Sequence, residues 1–207
     1  RVLTISAAQI DRLLRPFRVE AGAWRRTGPK PGTLIKKQVP IRCNGWRESE
    51  NEPGYLEVDT VAHCGGSMSG SFVWSVTLTD IATNWTSVRA TWNRGQHGVL
   101  EQIKDVEANL PFPLRGFDCD NGGEFLNDHL LTYLRARERP VSMTRSRPYH
   151  KNDNAHVEQK NWTHVRQLLA YHRIGNPRQV DVINRLYREA WEPLHNFFLP
   201  SVKLVEK

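Results

Sequence analysis

An α/β domain, a mixed five-stranded sheet with helices on its faces, is the fold the sequence predicts, and three observations lead there. Residues 54–92 hold three short runs rich in β-branched and aromatic residues, divided by turn signals. Residues 97–146 then alternate helical periodicity with short apolar runs, and two long helical stretches follow. The resulting order, β-β-β-α-β-α-β-α-α, packs helices against a partly parallel sheet.

Taken in order, residues 3–17 (LTISAAQIDRLLRPF) have the spacing of a short helix. Ser6 is its N-cap; Ile10, Leu13 and Leu14 form one apolar stripe, with Arg12, Arg15 and Arg18 close by. Such a piece suits the end of a DNA-binding helix-turn-helix over residues 1–17, and equally a plain packing helix. Residues 18–53 carry Pro29, Pro31, Pro40 and Pro53, several glycines and the basic pairs Arg25-Arg26 and Lys36-Lys37. That is linker composition, so the core is expected to be preceded by a helical piece and an extended basic arm. The core itself spans residues 54–207.

Within the core, Tyr55 to Val61, Ser71 to Thr79 and Trp85 to Trp92 predict three antiparallel strands, the first two joined through Gly65 to Gly70. His97 to Leu110 is helical, with Val99, Leu100, Ile103, Val106 and Leu110 on one face. A strand over Leu114 to Asp120, a helix over Asn127 to Arg137 and a strand over Val141 to Ser146 come next. Two long helices, Asp153 to His172 and Arg178 to Phe198, complete the domain.

Twenty-nine Lys and Arg against 22 Asp and Glu give a net charge of +7, which suits a polyanionic partner. No apolar run approaches the roughly 20 residues that span a bilayer, and no signal peptide is visible. Three irregularly spaced cysteines do not make a disulfide framework and fit a reducing, cytoplasmic setting. A zinc site from Cys43, His63, Cys64 and Cys119 lacks the paired ligand spacings that would support one, so small buried thiols are the better reading. The chain opens on Arg1 with a helical pattern soon under way, as expected of part of a longer protein.

Three acids stand out by their settings. Asp59 lies in the first strand, sharing a face with Tyr55, Glu57 and Val61. Asp120 ends the fourth and is followed by the turn Asn121-Gly122-Gly123; Glu158 opens the first long helix. If the first and fourth strands are neighbours, Asp59 and Asp120 meet. Carboxylates gathered without cationic partners repel, and divalent cations remove that penalty; an all-oxygen donor set favours Mg²⁺ or Mn²⁺. Two such ions can hold the attacking and leaving oxygens of a phosphoryl displacement.

The segments EVDTVAHCGG, GFDCDNGGEF and SRPYHKNDNAHVEQKNW resemble the three signature blocks of DDE transposases encoded by bacterial insertion sequences, a group that shares its integrase core with retroviral integrases. Thirty-seven residues separate Asp120 from Glu158, and sixty separate Asp59 from Asp120. The resemblance implies a ribonuclease H-like fold and a metal-binding catalytic triad of Asp59, Asp120 and Glu158. It implies two Mg²⁺ or Mn²⁺ ions, double-stranded DNA as substrate, and a homo-oligomer that handles two element ends together. The implied reaction is DNA cleavage followed by strand transfer. Two rivals are a hydrolytic nuclease of the same fold and an inactive DNA-binding remnant of a mobile element.

Asp118 shares a strand face with Asp120 and reads as a supporting carboxylate; Cys119, where Ser or Thr is more usual, points to the other face. Glu124 reads as a solvated residue near the turn and Trp162 as core packing. Arg145, Arg147, Lys151, Lys160 and Arg166, with Tyr149 and His150, form the expected DNA-contact set around the Glu158 helix. Asn152 and Asn154 are placed to cap that helix.

Overall fold

Polar and apolar residues alternate along Tyr55–Ala62 (β1), and the strand turns that pattern into two different faces. Leu56 and Val58 enter one apolar cluster and Val61 enters a second on the opposite side, the side shared by Glu57 and Asp59. The computed structural model describes residues 6, 8–10, 12–14, 31–42, 52–147 and 155–199. β1 is antiparallel to Val73–Asp80 (β2), which is antiparallel to Thr86–Trp92 (β3). On its other side β1 runs parallel to Gly116–Cys119 (β4), itself parallel to Ser142–Arg145 (β5). The sheet order β3-β2-β1-β4-β5 gives the expected mixed five-stranded sheet, ribonuclease H-like in its strand directions.

Helices cover both faces. Pro31–Gln38 (α1), Gln96–Asn109 (α2) and Asp128–Arg135 (α3) lie on the side of the first cluster, supplying Ile35, Ile103 and Leu134 among others. A helical run over 155–169 (α4) and another over 179–198 (α5) cover the second, through Val165, Ile183 and Tyr187. Both widen into π-helical turns, at Asn161–Arg166 in α4 and at Tyr187–Trp191 and Leu194–Phe198 in α5. No described helix is long and apolar enough to cross a membrane.

Of the linker expected over residues 18–53, residues 18–30 and 43–51 lie outside the described residues, and residues 31–42 hold a short helix and an edge pairing. Pro31 at a helix start needs no N–H partner, and Ile35 and Val39, four apart, are both buried in the first cluster. Beyond α1 the chain pairs with the edge of β5. Arg145 N–H donates to Pro40 O, Arg42 N–H donates to Arg145 O, each at 3.0 Å, and Ile41 forms a parallel bridge with Arg145. Further upstream, Ser6 caps as expected: its hydroxyl accepts from Gln9 N–H and the Gln9 side chain accepts from Ser6 N–H. Ile10, Leu13 and Leu14 are exposed.

The opposite edge is closed by side chains. Along β3 the outward amides of Thr86, Val88 and Ala90 donate to Asn196 Oδ1, Glu192 Oε1 and Asn184 Oδ1, at 3.0, 2.6 and 2.6 Å. Asn196 and Asn184 return the bond by donating to Thr86 O and Ala90 O, both at 3.0 Å. Three polar residues of α5 thus pair alternate residues of β3 as a neighbouring strand would, which prevents open-edge association.

Removing one of these amides leaves buried backbone groups unpaired. Asn184→Ala should lower the free energy of unfolding by roughly 1–3 kcal/mol, read from urea titration followed by circular dichroism. A loss below about 0.5 kcal/mol would show that Asn184 does not seal the edge.

Candidate active site

Asp59 sits where the sheet is covered by α4. Its Oδ1 accepts from Thr60 N–H and its Oδ2 from the Asn161 side-chain amide, each at 2.7 Å. Even so, its pKa is raised from 3.8 to about 6. Burial is the largest cause, and the negative charges of Asp120 and Glu158 add to it against those two hydrogen bonds. Asp59 therefore feels the other two acids singled out in the sequence, one at a strand end and one on a helix.

Asp120 follows β4 directly. The β1–β4 register pairs Val58 with Cys119, so the next step along both strands sets Asp59 beside Asp120. Asp120 Oδ1 accepts from Gly122 N–H at 2.9 Å, the local side-chain turn that Asp-Asn-Gly encodes. Asn121 is tied down as well, donating to Ser146 O at 3.0 Å and accepting from Arg145 Nη1 at 3.1 Å. Cys119 points to the other face, inside the first cluster, as expected.

Glu158 lies in the first turns of α4 and is exposed. The start of that helix is held from below: Glu57 Oε2 accepts from the backbone N–H of His156 at 3.0 Å and of Val157 at 3.2 Å. One turn after Glu158, Asn161 reaches Asp59, so a single helix carries both the glutamate and a hydrogen-bond donor to the first aspartate.

Several neighbours differ from expectation. Glu124 is not solvated: it is 4% exposed, pairs with Arg94 at 3.1 Å, and accepts from Thr60 Oγ1 at 3.3 Å. Its pKa is raised, mainly by burial, and Asp120 contributes to the rise. A Cβ on Gly122 would lie 2.5 Å from the Glu124 carboxylate, so the glycine makes room for that acid against the turn. Trp162 is not core packing; it is 53% exposed, one turn beyond Glu158 on the same outer side of α4. Asp118 is a supporting carboxylate, fully buried, accepting from Thr144 Oγ1 at 2.5 Å and facing Arg42 Nη1 at 3.5 Å.

The expected DNA-contact residues divide. Arg145 donates to Val39 O and Asn121 Oδ1, both at 3.1 Å, and Arg166 to Ala62 O and Ala170 O, at 3.1 and 3.2 Å. Both guanidinium groups are thus engaged in holding the fold. Arg147 is exposed and Lys160 half-buried. Lys151, with Tyr149, His150, Asn152 and Asn154, lies outside the described residues. So does Cys43; of the remaining zinc candidates, Cys119 is in the core and Cys64 Sγ donates to Gly65 O at 3.4 Å.

Among the described residues no three His, Cys, Asp or Glu side chains converge closely enough to grip one ion. The chemistry of the acids nonetheless fits a hard divalent cation. The donors are all oxygen, and a cation would offset both the burial that chiefly raises Asp59 and the lesser repulsion from Asp120 and Glu158. Two buried oxygens beside Asp59 have no hydrogen-bond partner: Oδ1 of Asn161, and Oγ1 of Thr77, the register partner of Asp59 on β2. Drawn closer together, Asp59, Asp120 and Glu158 are the side chains that could hold such an ion.

No protein-family model matches the chain. An uncharacterized protein, y4rM, of Sinorhizobium fredii (strain NBRC 101917 / NGR234) is 41% identical over an alignment of 208 positions that takes in all of this chain. The chain spans 58% of that relative's length. Among solved structures, the catalytic core domain of BIV integrase superposes with a TM-score of 0.43 and 14% identity, over 57% of this chain and 70% of that one.

The raised pKa of Asp59 has a thermodynamic consequence in protein stripped of divalent ions. Between about pH 4 and pH 6 the folded state holds a proton that the unfolded state has released, so stability falls as pH rises through that window. Asp59→Asn removes the buried charge, and a rotated Asn161 amide can accept from the new side chain. In EDTA the variant should melt higher than the parent at pH 7, and the gain should vanish below pH 4. Equal melting temperatures at pH 7 would contradict the burial of a charge at this position.

Proposed function

We propose that the chain is the catalytic core of a metal-dependent polynucleotidyl transferase that cuts DNA at the ends of a mobile element and joins them to a target, a DDE transposase. One observation carries the reading: the β1–β4 register sets Asp59 beside Asp120, and Asn161, one turn past Glu158, reaches Asp59, so three acids from separate sequence blocks lie in one neighbourhood. Their order is that of the transposase blocks the sequence resembles, and their spacing is compatible with it.

Asp59, Asp120 and Glu158 would hold two Mg²⁺ or Mn²⁺ ions. Such ions supply activation of the attacking oxygen and stabilisation of the departing 3′-oxygen. The chain's own groups do the rest. Asn161 orients Asp59 through Oδ2, and Gly122 N–H orients Asp120 through Oδ1. Lys160 and the exposed indole of Trp162 lie on α4 close to Glu158, and the exposed Arg147 lies just past β5; these groups are suited to gripping phosphates and covering a base. Hydrolysis at an element end leaves a 3′-hydroxyl, and attack by that hydroxyl on a target phosphodiester conserves the bond count, so joining needs no external energy source. Two ends handled together call for more than one copy of the chain on the DNA.

Asp120→Asn should lower Mn²⁺-dependent cleavage and joining by on the order of 10³-fold or more, with circular dichroism unchanged. The assay uses labelled duplexes carrying the sequences that flank the protein's coding region. Cleavage without joined product would replace the transposase with a hydrolytic nuclease. DNA binding without Mg²⁺- or Mn²⁺-dependent cleavage in the unsubstituted chain would make it an inactive remnant.

A further inference from the structure

The acids of the site are not the most deeply buried charges near it. Glu57, two residues before Asp59 on the same face of β1, is 1% exposed, and its neighbour across the β1–β4 register, Asp118, is fully buried. Two adjacent carboxylates inside a protein require charge compensation and full hydrogen bonding. The segment preceding the core supplies part of it: Arg42 Nη2 donates to Glu57 Oε1 at 2.9 Å while its Nη1 faces Asp118 Oδ2 at 3.5 Å. Arg42 is held there because its own N–H bonds Arg145 O at the edge of β5. Thr144, the register partner of Asp118 on β5, completes the row.

The second oxygen of Glu57 is committed elsewhere. Oε2 accepts from both His156 N–H and Val157 N–H, the amides that open α4 just before Glu158. A helix start has N–H groups with no partner in the helix, and a carboxylate beneath them fixes both the position and the direction of the first turn. Glu57 therefore joins two things that are far apart in sequence: an arginine before the core and the helix that presents Glu158.

We infer that Glu57 is a positioning residue for Glu158, and that Arg42 makes the segment before the core a working part of the active site by holding Glu57 in place. The first half is a statement about the structure of α4; its bearing on catalysis rests on the proposed function. Glu57 touches no reacting atom in this account. It acts through the backbone of residues 156 and 157, and docking or release of residues 40–42 at the β5 edge changes the hold on Glu158.

The test uses the full chain and two separate readouts. Hydrogen–deuterium exchange followed by mass spectrometry reports the amides of residues 155–160, with β2 as the internal reference. Glu57→Ala should speed exchange at 155–160 about tenfold or more while β2 stays protected. Glu57→Gln keeps an oxygen facing the two amides and should stay near the parent. Arg42→Met, which removes the counter-charge, should raise exchange at the same peptide. Mn²⁺ titration of DNA cleavage supplies the second readout. Glu57→Ala should need about tenfold more Mn²⁺ for half-maximal rate, with the rate at saturating Mn²⁺ held within about threefold.

Unchanged exchange at 155–160 in both Glu57→Ala and Arg42→Met overturns the inference. If Glu57→Ala does not fold, Arg42→Met alone decides: faster exchange at 155–160 with β2 protected supports the hold, and no change removes it. A parent chain that cleaves no DNA with Mn²⁺ defeats the functional reading, while the exchange data still decide the role of Glu57.

Discussion

Two carboxylates on one face of a central strand, Glu57 and Asp59, set the terms for everything built around β1. A sheet face covered by helices is a poor place for negative charge, and each acid must be stabilised by groups brought from elsewhere. Glu57 receives a guanidinium and two helix amides. Asp59 receives one amide from its own strand and one from Asn161, with two further acids close by, and stays poised at about 6. Residues two apart in one strand thus differ in kind: one carboxylate is paired with a cation and two amides, the other is left with unfavourable neighbours that a cation would turn to advantage. Under the proposed function, that contrast separates a structural carboxylate from a metal ligand.

The same economy governs the two edges of the sheet. A five-stranded open sheet has two rows of unpaired backbone groups. At β5 the row is met by backbone from residues 40–42, and at β3 by side chains from α5. Glu192 serves two needs at once, since its Oε1 also pairs with the buried Arg89. The helices that cover the second face are therefore bound to the sheet by directed polar bonds as well as by apolar packing. Such bonds specify one placement for α4 and α5, where grease alone would permit sliding. For α4 the consequence is direct, because its placement decides where Glu158 stands.

Much of this was legible in the sequence, and the readable part has a common character. Period-two alternation gave the strands, and the Asp-Asn-Gly turn after β4 set Asp120 at a strand end. The i, i+3/i+4 spacing of Val99, Ile103 and Val106 gave α2. Each of these signals lives within a few residues. What escaped depends on partners far away in the chain. Pro31 to Gln38 looks like linker because its proline and lysines dominate the composition, yet two buried residues four apart suffice to dock a short helix. Glu124 reads as solvated because nothing local reveals Arg94 and Thr60 beside it. Trp162 reads as core because tryptophan usually is, and only the direction of α4 turns it outward. Nothing in the spacing of Asn184, Glu192 and Asn196 announces that they line up along alternate residues of a strand ninety or more positions earlier.

These distant partnerships also move the boundary of the domain. Composition places the start of the core at residue 54, where prolines and basic pairs give way to alternating strand residues. A chain cut there would lose Ile35 and Val39 from the first cluster, each worth roughly 1.5–3 kcal/mol in buried apolar surface. It would bare the β5 edge at Arg145 and leave Glu57 and Asp118 without Arg42, and removing one partner of a buried ion pair costs about 3–5 kcal/mol. The losses fall on one place, since the β5 edge, the Arg42 guanidinium and the first turn of α4 are joined in series by hydrogen bonds. The folded unit therefore begins no later than Pro31, and the segment that composition marks as a tether is linked through Arg42 and Glu57 to the start of α4.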